Sequence, residues 1–253
     1  MEAGSWSFRG FDRFTTESQR KPLRVRCFCL YGDWVFDEAA LLKVGLTGGI
    51  ASGKSVVGEM FVVLGAHLIQ ADAISHELMQ PGEAVYREVV RHFGAGILNP
   101  DGKVNRARLA EAAFGAPGTN QSSRIQELNR IVHPAVLRRQ EEWMAEIGRE
   151  NRGAVAIVEA ALILEAGAAE DFDRLVVVTC RPEQRIERWA NRAGVDKETA
   201  RREVMRRMAA QFPDEEKIKA SDYVIDNSGS LDETRKRVEE VYAELECEAW
   251  TKG

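Results

Sequence analysis

The sequence lacks the features that mark secreted, membrane-spanning and nucleic-acid-binding proteins. Its 253 residues include only four cysteines, and no second Cys/His pair at zinc spacing accompanies Cys27 and Cys29. No apolar run approaches the ~20 residues of a membrane-spanning helix. The net charge of −5 argues against a dedicated nucleic-acid binder, which is usually basic. These absences favour a protein of the reducing cytoplasm with neither a membrane nor a nucleic-acid partner.

The first forty residues differ from the rest. Residues 1–40 show neither the period of a strand nor that of a helix, and no signal-peptide apolar core. We expect a poorly ordered N-terminal extension there, or an upstream start codon wrongly chosen; an interaction tail is the alternative. The whole sequence has 44% hydrophobic and 30% charged residues. This composition predicts a globular protein with a hydrophobic core.

From Leu42 onward, predicted strands alternate with predicted helices. Two of the strands, residues 154–158 and 175–179, are continuous apolar runs, as is typical of parallel strands covered on both faces. The pattern predicts an α/β fold with a doubly wound, parallel, five-stranded sheet. The strands are expected at residues 42–47, 66–70, 154–158, 175–179 and 223–226.

The stretch from about 82 to 150 contains helical patterns and no strand, so it cannot fit inside one crossover. We expect it to form an inserted helical lobe, with a nucleotide-binding core at 41–81, 151–180 and 220–253 and a helical lid segment at 181–219. Helices are predicted at residues 54–64, 73–79, 85–93, 106–114, 123–131, 134–147, 182–191, 197–210 and 231–245.

A glycine-rich stretch follows the first strand. Residues 48–55, GGIASGKS, fit the pattern G-x-x-x-x-G-K-[ST] and are called the phosphate loop below. Glycines let successive N–H groups point at an anion, and the following helix adds the positive end of its dipole. In this pattern the lysine reaches the β- and γ-phosphates and the hydroxyl after it takes a place on Mg²⁺. A ligand-free glycine turn is the alternative. The residues predicted to bind nucleotide are Gly48, Gly49, Ala51, Ser52, Gly53, Lys54, Ser55 and Val56, with Ser55 as the metal ligand.

The loop alone leaves open what the phosphate is for. The Asn-Lys-x-Asp and Asp-x-x-Gly sequences of GTPases do not occur, and the strand end at residue 159 offers only one acid, where a mechanical ATPase should show an acidic pair. A small-molecule kinase instead needs an acceptor pocket, a base beside it and an arginine-bearing lid that excludes water.

An acid stands at the end of the second predicted strand. Ligands of open α/β sheets bind outside the carboxyl ends of the strands, so Asp72 should face the phosphate loop if both strands share one sheet. Its carboxylate could then accept the proton of an attacking hydroxyl or align that hydroxyl. The alternative is that Asp72 only caps the helix that follows.

The lid segment is rich in arginine. Nine basic residues against five acidic ones lie between Arg181 and Arg207. Arg185, Arg188 and Arg192 recur at i, i+3 and i+7 and so share one helical face. Such a segment suits a lid that brings arginines over developing phosphate charge. A solvated face of Glu–Arg pairs is the alternative, and RNA binding is disfavoured because aromatic residues are not interleaved.

Together these motifs resemble the dephospho-CoA kinase family, from about Leu42 to about Leu245. The phosphate loop is common to many families, but the ordered series is specific. It comprises GLTGGIASGKS (45–55), QADAI (70–74), PG (81–82), NPDGK (99–103) with Arg106 and Leu109, IVHP (131–134), EAALILE (159–165), Arg188 and Arg192, Arg207 with Gln211, EK (216–217) and SDYVIDN (221–227).

The resemblance implies transfer of the γ-phosphate of ATP, with Mg²⁺, to the ribose 3′-hydroxyl of dephospho-CoA. It implies that Asp72 is the general base, that residues 82–150 receive the CoA moiety and that residues 181–219 form the lid. Lys54 would hold the triphosphate, and Arg188 and Arg192 would stabilise charge in the closed state. Glu159 replaces the family's more usual Asp, which puts a metal role for Glu159 in doubt, and Ala51 and Val56 replace its common Gly and Thr.

Two other functions stay open at this point. One is a nucleoside monophosphate kinase or another small-molecule kinase on the same core. The other is a nucleotide-gated binding protein that hydrolyses ATP slowly, although the missing switch sequences count against it. For the assembly we expect a monomer or a weak homo-oligomer.

Overall fold

The computed structural model describes residues 41–114 and 124–252, and these contain a five-stranded sheet with helices on both faces. The expectation for residues 1–40 falls outside the described residues. The helix predicted over 123–131 falls outside them only at its first residue. The strands are β1 Leu41–Gly48, β2 His67–Gln70, β3 Ala154–Glu159, β4 Arg174–Thr179 and β5 Tyr223–Asp226.

The helices account for most of the remaining described chain. They are α1 Lys54–Leu64, α2 Ala71–Leu78, α3 Ala84–Phe93, α4 Arg106–Phe114, α5 Ile125–Glu150, α6 Pro182–Ala193, α7 Lys197–Met208, α8 Asp214–Ala220 and α9 Leu231–Thr251. None of the helices in the described ranges combines the length and the apolarity needed to cross a membrane.

All neighbouring strands in the sheet are parallel, in the order β2-β3-β1-β4-β5. This confirms the predicted doubly wound parallel sheet. The central strand β1 is covered by helices on both faces of the sheet, so its side chains are buried except at Lys43. The chain winds from β1 toward β2 on one side and toward β5 on the other. A ligand-binding crevice is therefore expected where β1 ends.

Helices cover both faces of the sheet. On one face, Val57 and Phe61 of α1 and Val241 and Leu245 of α9 join the largest apolar cluster. On the other face, residues of α5 such as Met144 pack against β1 and β3. A separate apolar cluster, which includes Val85, Val89, Ile97 and Leu109, joins α3, α4 and the first half of α5.

The structure differs from the predicted helices mainly in three places. The two helices predicted over 123–131 and 134–147 are one helix, α5, with Pro134 inside it. Proline removes a helical N–H and crowds the carbonyl one turn earlier, at Arg130, but both residues are exposed, so water can take the lost bond. Helix α8 was not predicted, and α9 continues beyond Leu245 to Thr251.

Candidate active site

A cavity of about 400 Å³ lies at the carboxyl end of the sheet. Its walls come from the phosphate loop, the start of α2, the end of β3 and the lid segment. It brings together nine of the residues predicted for the site: Ala51, Ser52, Gly53, Lys54, Ser55, Val56, Asp72, Arg188 and Arg192. The chain positions that carry these residues span more than half of the described sequence, so the fold, and not local sequence, assembles the site.

Two predicted nucleotide-binding residues, Gly48 and Gly49, do not line this cavity. They are buried behind it, and their carbonyl oxygens accept hydrogen bonds from the Nζ of Lys54 at 3.0 and 3.2 Å. A Cβ on Gly49 would come within 2.0 Å of a guanidinium nitrogen of Arg185. Their role in the structure is therefore to shape the loop and hold Lys54.

The conformation of the phosphate loop depends on its last glycine. Gly53 precedes α1 with φ 98°, and a Cβ there would lie 2.1 Å from the side-chain nitrogen of Asn227. The carbonyl of Ser52 accepts from that same nitrogen and from Arg188, both at 2.9 Å. Ala51 has φ 53°, a conformation that costs a non-glycine residue about 1 kcal/mol or more. The loop therefore holds some strain, which contacts from outside the loop offset.

The charge of Lys54 is unusually sensitive to pH. Burial is the largest cause and lowers the pKa of Lys54 from its ordinary 10.5 to about 8. The carboxylate of Glu159 opposes this shift and so does that of Asp72, while the cations of Lys217 and Arg185 act in the same direction as burial. The free site therefore holds Lys54 close to its titration point at physiological pH.

A carboxylate lies beside the predicted metal ligand. Glu159, at the end of β3, is buried, and its two oxygens are engaged separately. Ser55 Oγ donates to one oxygen at 2.9 Å and Gln70 Nε2 donates to the other at 3.0 Å. The described residues contain no group of three or more His, Cys, Asp or Glu side chains that could hold a metal alone. One carboxylate and one hydroxyl suit Mg²⁺, which usually combines few protein ligands with substrate phosphates and water.

Asp72 lies in the first turn of α2, directly after β2, and lines the cavity together with residues of the phosphate loop. Its carboxylate is exposed, and it acts on the charge of Lys54 as an attractive partner. The structure thus places the predicted base and the predicted phosphate-binding lysine in one cleft. Helix α2 begins at Ala71 and its N-cap residue is Gln70, so Asp72 lies inside the first turn and is not the cap residue of a helix that starts at residue 73.

The arginines of the lid segment divide into two groups. Arg188 and Arg192 line the cavity, together with Arg207, for which no role was predicted. Arg188 donates to the carbonyls of Ser52 and Asn227, each at 2.9 Å. The guanidinium carbons of Arg192 and Arg207 lie 4.8 and 4.4 Å from the ring centre of Trp189, as cation–π contacts.

Arg185 shares a helical face with Arg188 and Arg192 by its spacing, but it does not share their position in the cavity wall. It is 1% exposed and lies outside the cavity lining. Its guanidinium donates to the carbonyl of Cys180 at 3.3 Å and pairs with Asp214. The first turn of α6 lies beneath the phosphate loop, whereas its last turns lie beside the cavity. The same face therefore supports the loop at one end and reaches the ligand space at the other.

Sequence reasoning missed several residues of the cavity wall. Gln70, Arg207 and Gln211 belong to the motifs that resemble the kinase family, and that resemblance was the only signal for them. Ala160 and Ala161 line the cavity with small side chains after β3. Asn227 was named only as the last residue of the motif SDYVIDN, whereas its side chain supports the phosphate loop.

Comparisons with known proteins show the family of the chain. The sequence model of the family described as CoaE, dephospho-CoA kinase, matches residues 42–233. The dephospho-CoA kinase of Syntrophotalea carbinolica is 40% identical over 212 residues, which cover 81% of this chain and 92% of that protein. That of Aquifex aeolicus is 39% identical, covering 80% of this chain and 97% of the relative.

Solved structures give the same fold. A crystal structure of TT1252 from Thermus thermophilus superposes with a TM-score of 0.66 at 30% identity, covering 81% of this chain and 97% of that one. Dephospho-CoA kinase from Campylobacter jejuni gives 0.52 at 24% identity, with 82% and 98% coverage, and supports the fold alone.

The lowered pKa of Lys54 predicts a pH dependence of nucleotide binding. The ammonium form attracts phosphate, and it is lost as the pH rises through about 8. If only that form binds well, the dissociation constant for ATP should rise about tenfold between pH 7 and pH 9, and binding should take up a proton. Calorimetry in buffers of different ionisation enthalpy measures both. In Lys54→Arg, whose guanidinium stays charged, the pH dependence should disappear, and an unchanged slope in that variant would contradict the assignment.

Proposed function

The chain belongs to the dephospho-CoA kinase family, and on that basis we propose which of its residues bind the substrates and transfer the phosphoryl group. It phosphorylates dephospho-CoA with ATP, in the biosynthesis of coenzyme A. The observation that carries the residue assignment is the shared cavity, in which Lys54, Asp72 and three arginines surround a space of about 400 Å³.

ATP binds with its phosphates against the phosphate loop. The N–H groups of residues 51–56 and the start of α1 offer donors and a positive dipole end. Lys54 donates to the carbonyls of Gly48 and Gly49. These bonds keep its ammonium at the loop, where it can move onto the β- and γ-phosphates once nucleotide is bound.

Asp72 acts on the acceptor. The ribose 3′-hydroxyl of dephospho-CoA is placed between Asp72 and the γ-phosphate. Its oxygen forms a bond to the γ-phosphorus while the bond from that phosphorus to the bridging oxygen of ADP breaks. The proton of the hydroxyl passes to the Asp72 carboxylate, and ADP and coenzyme A leave. The exposed, cavity-facing position of the carboxylate supports this role.

Magnesium would be held by Ser55, with Glu159 beside it. The separation of 2.9 Å between the Ser55 hydroxyl and the Glu159 carboxylate supports a site in which both groups face one ion or its water shell. A bound Mg²⁺ would neutralise charge on the β- and γ-phosphates. Gln70 fixes the second oxygen of Glu159 and so orients the first toward Ser55.

The lid arginines stabilise charge on the transferring group. Arg188 uses two of its five donors on loop and strand-end carbonyls, which leaves N–H groups for phosphate oxygens. Arg192 lies further along α6 in the cavity wall, and Arg207 is a third candidate. Closure of residues 181–219 would bring these cations nearer and exclude water.

The acceptor lobe, residues 82–150, receives the rest of dephospho-CoA. A second cavity of about 270 Å³ is lined by His76 of α2, which lies one helical turn, about 6 Å, from Asp72. Lys103 and Arg106 make its wall cationic. The 5′-diphosphate is carried on C4′ of the ribose, next to the carbon that bears the 3′-hydroxyl, so a cationic pocket close to Asp72 suits it. We also propose that the rest of the chain from residue 41 divides into a nucleotide-binding core and a lid, because residues of both line the first cavity. The core comprises residues 41–81, 151–180 and 220–253, and the lid comprises residues 181–219.

The cellular setting stays a prediction from the sequence. The scattered cysteines favour a reducing cytoplasm, and a monomer or weak homo-oligomer is expected. No step of the proposed reaction uses a residue from a second copy of the chain.

The activity is tested with a panel of acceptors and labelled ATP. Dephospho-CoA should be phosphorylated efficiently, and nucleoside monophosphates poorly, because only the former fills both cavities. Slow ATP hydrolysis with no acceptor phosphorylated is the outcome expected if the chain is instead a nucleotide-gated binding protein. Efficient labelling of a nucleoside monophosphate in preference to dephospho-CoA would contradict the assigned activity.

Replacing the proposed base tests its role. In Asp72→Asn, kcat should fall about 10²- to 10³-fold because the hydroxyl proton loses its acceptor, while the dissociation constant for ATP stays nearly unchanged. Glu77→Gln, at an exposed position of the same helix outside the cavity lining, is the matched control and should keep wild-type turnover. Wild-type turnover in Asp72→Asn would make the base assignment wrong.

The cationic pocket predicts a selective loss of acceptor binding. Lys103→Ala and Arg106→Ala should each raise KM for dephospho-CoA about tenfold, because a charged hydrogen bond to the diphosphate is lost, and should leave KM for ATP unchanged. With adenosine as acceptor, which has no diphosphate, the variants should match the wild type. The control Arg138→Ala removes an exposed arginine of α5 outside both cavities. Equal effects on dephospho-CoA and adenosine would exclude a diphosphate contact.

A further inference from the structure

The side chain of Gln211 joins the end of the lid segment to the phosphate loop. Its Oε1 accepts a hydrogen bond from the backbone N–H of Ile50 at 3.2 Å, across 161 residues of chain. Gln211 also lines the cavity, three residues after α7 ends at Met208. One carboxamide thus contacts both the loop backbone and the ligand space.

The chain after Gln211 is fastened to the core. The N–H of Phe212 donates to Glu165 Oε1 at 2.9 Å, and the ammonium of Lys217 lies 2.8 Å from the same oxygen. Lys217 is fully buried, and Asp214 pairs with the buried Arg185. These contacts give the position of Gln211 a rigid support, so that its bond to Ile50 connects the phosphate loop to the end of the lid segment that is attached to the core.

The side chain of Ile50 is attached to the lid as well. It lies in an apolar cluster with Ile186 and Ala190 of α6 and with Ala200 and Val204 of α7. The backbone of this loop residue is therefore held by the segment after α7 while its side chain packs between the two lid helices. A displacement of Ile50 by a bound phosphate would be transmitted to both.

One turn before Gln211 stands a cavity-facing cation. Arg207 contacts the ring of Trp189 and donates to Glu203 Oε1 at 2.6 Å. The chain between Arg207 and Gln211 is a tight turn, in which Ala210 N–H donates to the Arg207 carbonyl and Gln211 N–H to that of Met208. The position of Gln211 therefore constrains how near Arg207 can come to the phosphates.

We propose that Gln211 is a positioning residue that couples the phosphate loop to the lid, because its carboxamide oxygen holds the Ile50 N–H and thereby sets the place of Arg207 over the γ-phosphate. The proposal rests on the proposed function, because one of its tests measures kcat for the phosphorylation of dephospho-CoA. Gln211 itself takes no part in the bond changes.

Two variants with side chains similar in size to glutamine distinguish the effect of the hydrogen-bond acceptor from that of side-chain volume. Gln211→Met removes the acceptor, so the coupling is lost and kcat should fall about tenfold, with a smaller change in KM for ATP. Gln211→Glu keeps an oxygen for Ile50 but adds a negative charge to the cavity, so it should mainly raise KM for ATP. Lys236→Met, at an exposed position of α9 outside both cavities and the acceptor lobe, is the control and should behave as wild type.

Limited trypsin digestion measures the coupling directly. The lid helix α7 carries exposed arginines, among them Arg201, Arg202 and Arg206. With Mg²⁺ and a non-hydrolysable ATP analogue at saturation, cleavage there should slow at least fivefold in the wild type and in Gln211→Glu, but less than twofold in Gln211→Met. Wild-type kcat and protection in Gln211→Met would overturn the proposal, as would identical behaviour of the Met and Glu variants.

Amide exchange in the unaltered protein supplies a test that needs no variant. The Ile50 amide should exchange slowly in the absence of nucleotide, because Gln211 accepts its hydrogen bond. Exchange at the rate of an exposed amide would overturn the proposal. A wild-type protein that fails to phosphorylate dephospho-CoA would contradict the proposed function instead, and the exchange and digestion results would still decide the role of Gln211.

Discussion

A loop that binds phosphate through its N–H groups has to turn its carbonyl groups away, since a carbonyl oxygen repels a phosphate oxygen. In this chain the carbonyls are held by donors of the protein itself. The Ser52 carbonyl accepts from Arg188 and from Asn227, and the carbonyls at the start of the loop accept from Lys54. With the carbonyls engaged, the loop can present its N–H groups to the cavity.

The donors that hold the loop come from elements that the sheet topology brings beside β1. Arg188 is on α6, which follows the neighbouring strand β4, and Asn227 directly follows the edge strand β5. Asn227 is itself oriented by a hydrogen bond from Thr234, at 3.2 Å, and both side chains are buried. Strand order therefore determines loop geometry, because β5 has to lie next to β4 for Asn227 to reach Ser52.

Sequence patterns predicted whatever depends on local periodicity. The apolar runs of β3 and β4 and the loop–helix junction at Lys54 are local, and their boundaries agree with the structure within one or two residues. Features that depend on distant partners could not be read in this way. The spacing of Arg185, Arg188 and Arg192 correctly placed them on one face of α6, but only the fold reveals that this face passes from beneath the loop to the cavity. Gln211 is uncharged and belongs to no periodic pattern, so its hydrogen bond to the phosphate loop could not be predicted from the neighbouring sequence.

Glu159 shows how a change that looks unfavourable in sequence is accommodated by its neighbours. A glutamate at the strand end carries its carboxylate about one bond further than an aspartate would, which could move it off a metal site. Here Gln70, from the adjacent strand β2, binds the far oxygen at 3.0 Å and leaves the near one 2.9 Å from the Ser55 hydroxyl. Because β2 pairs with β3 in a register that sets Gln70 opposite Glu159, the longer side chain is held in one orientation. The parallel pairing of two strands thus holds the carboxylate of Glu159 beside the Ser55 hydroxyl.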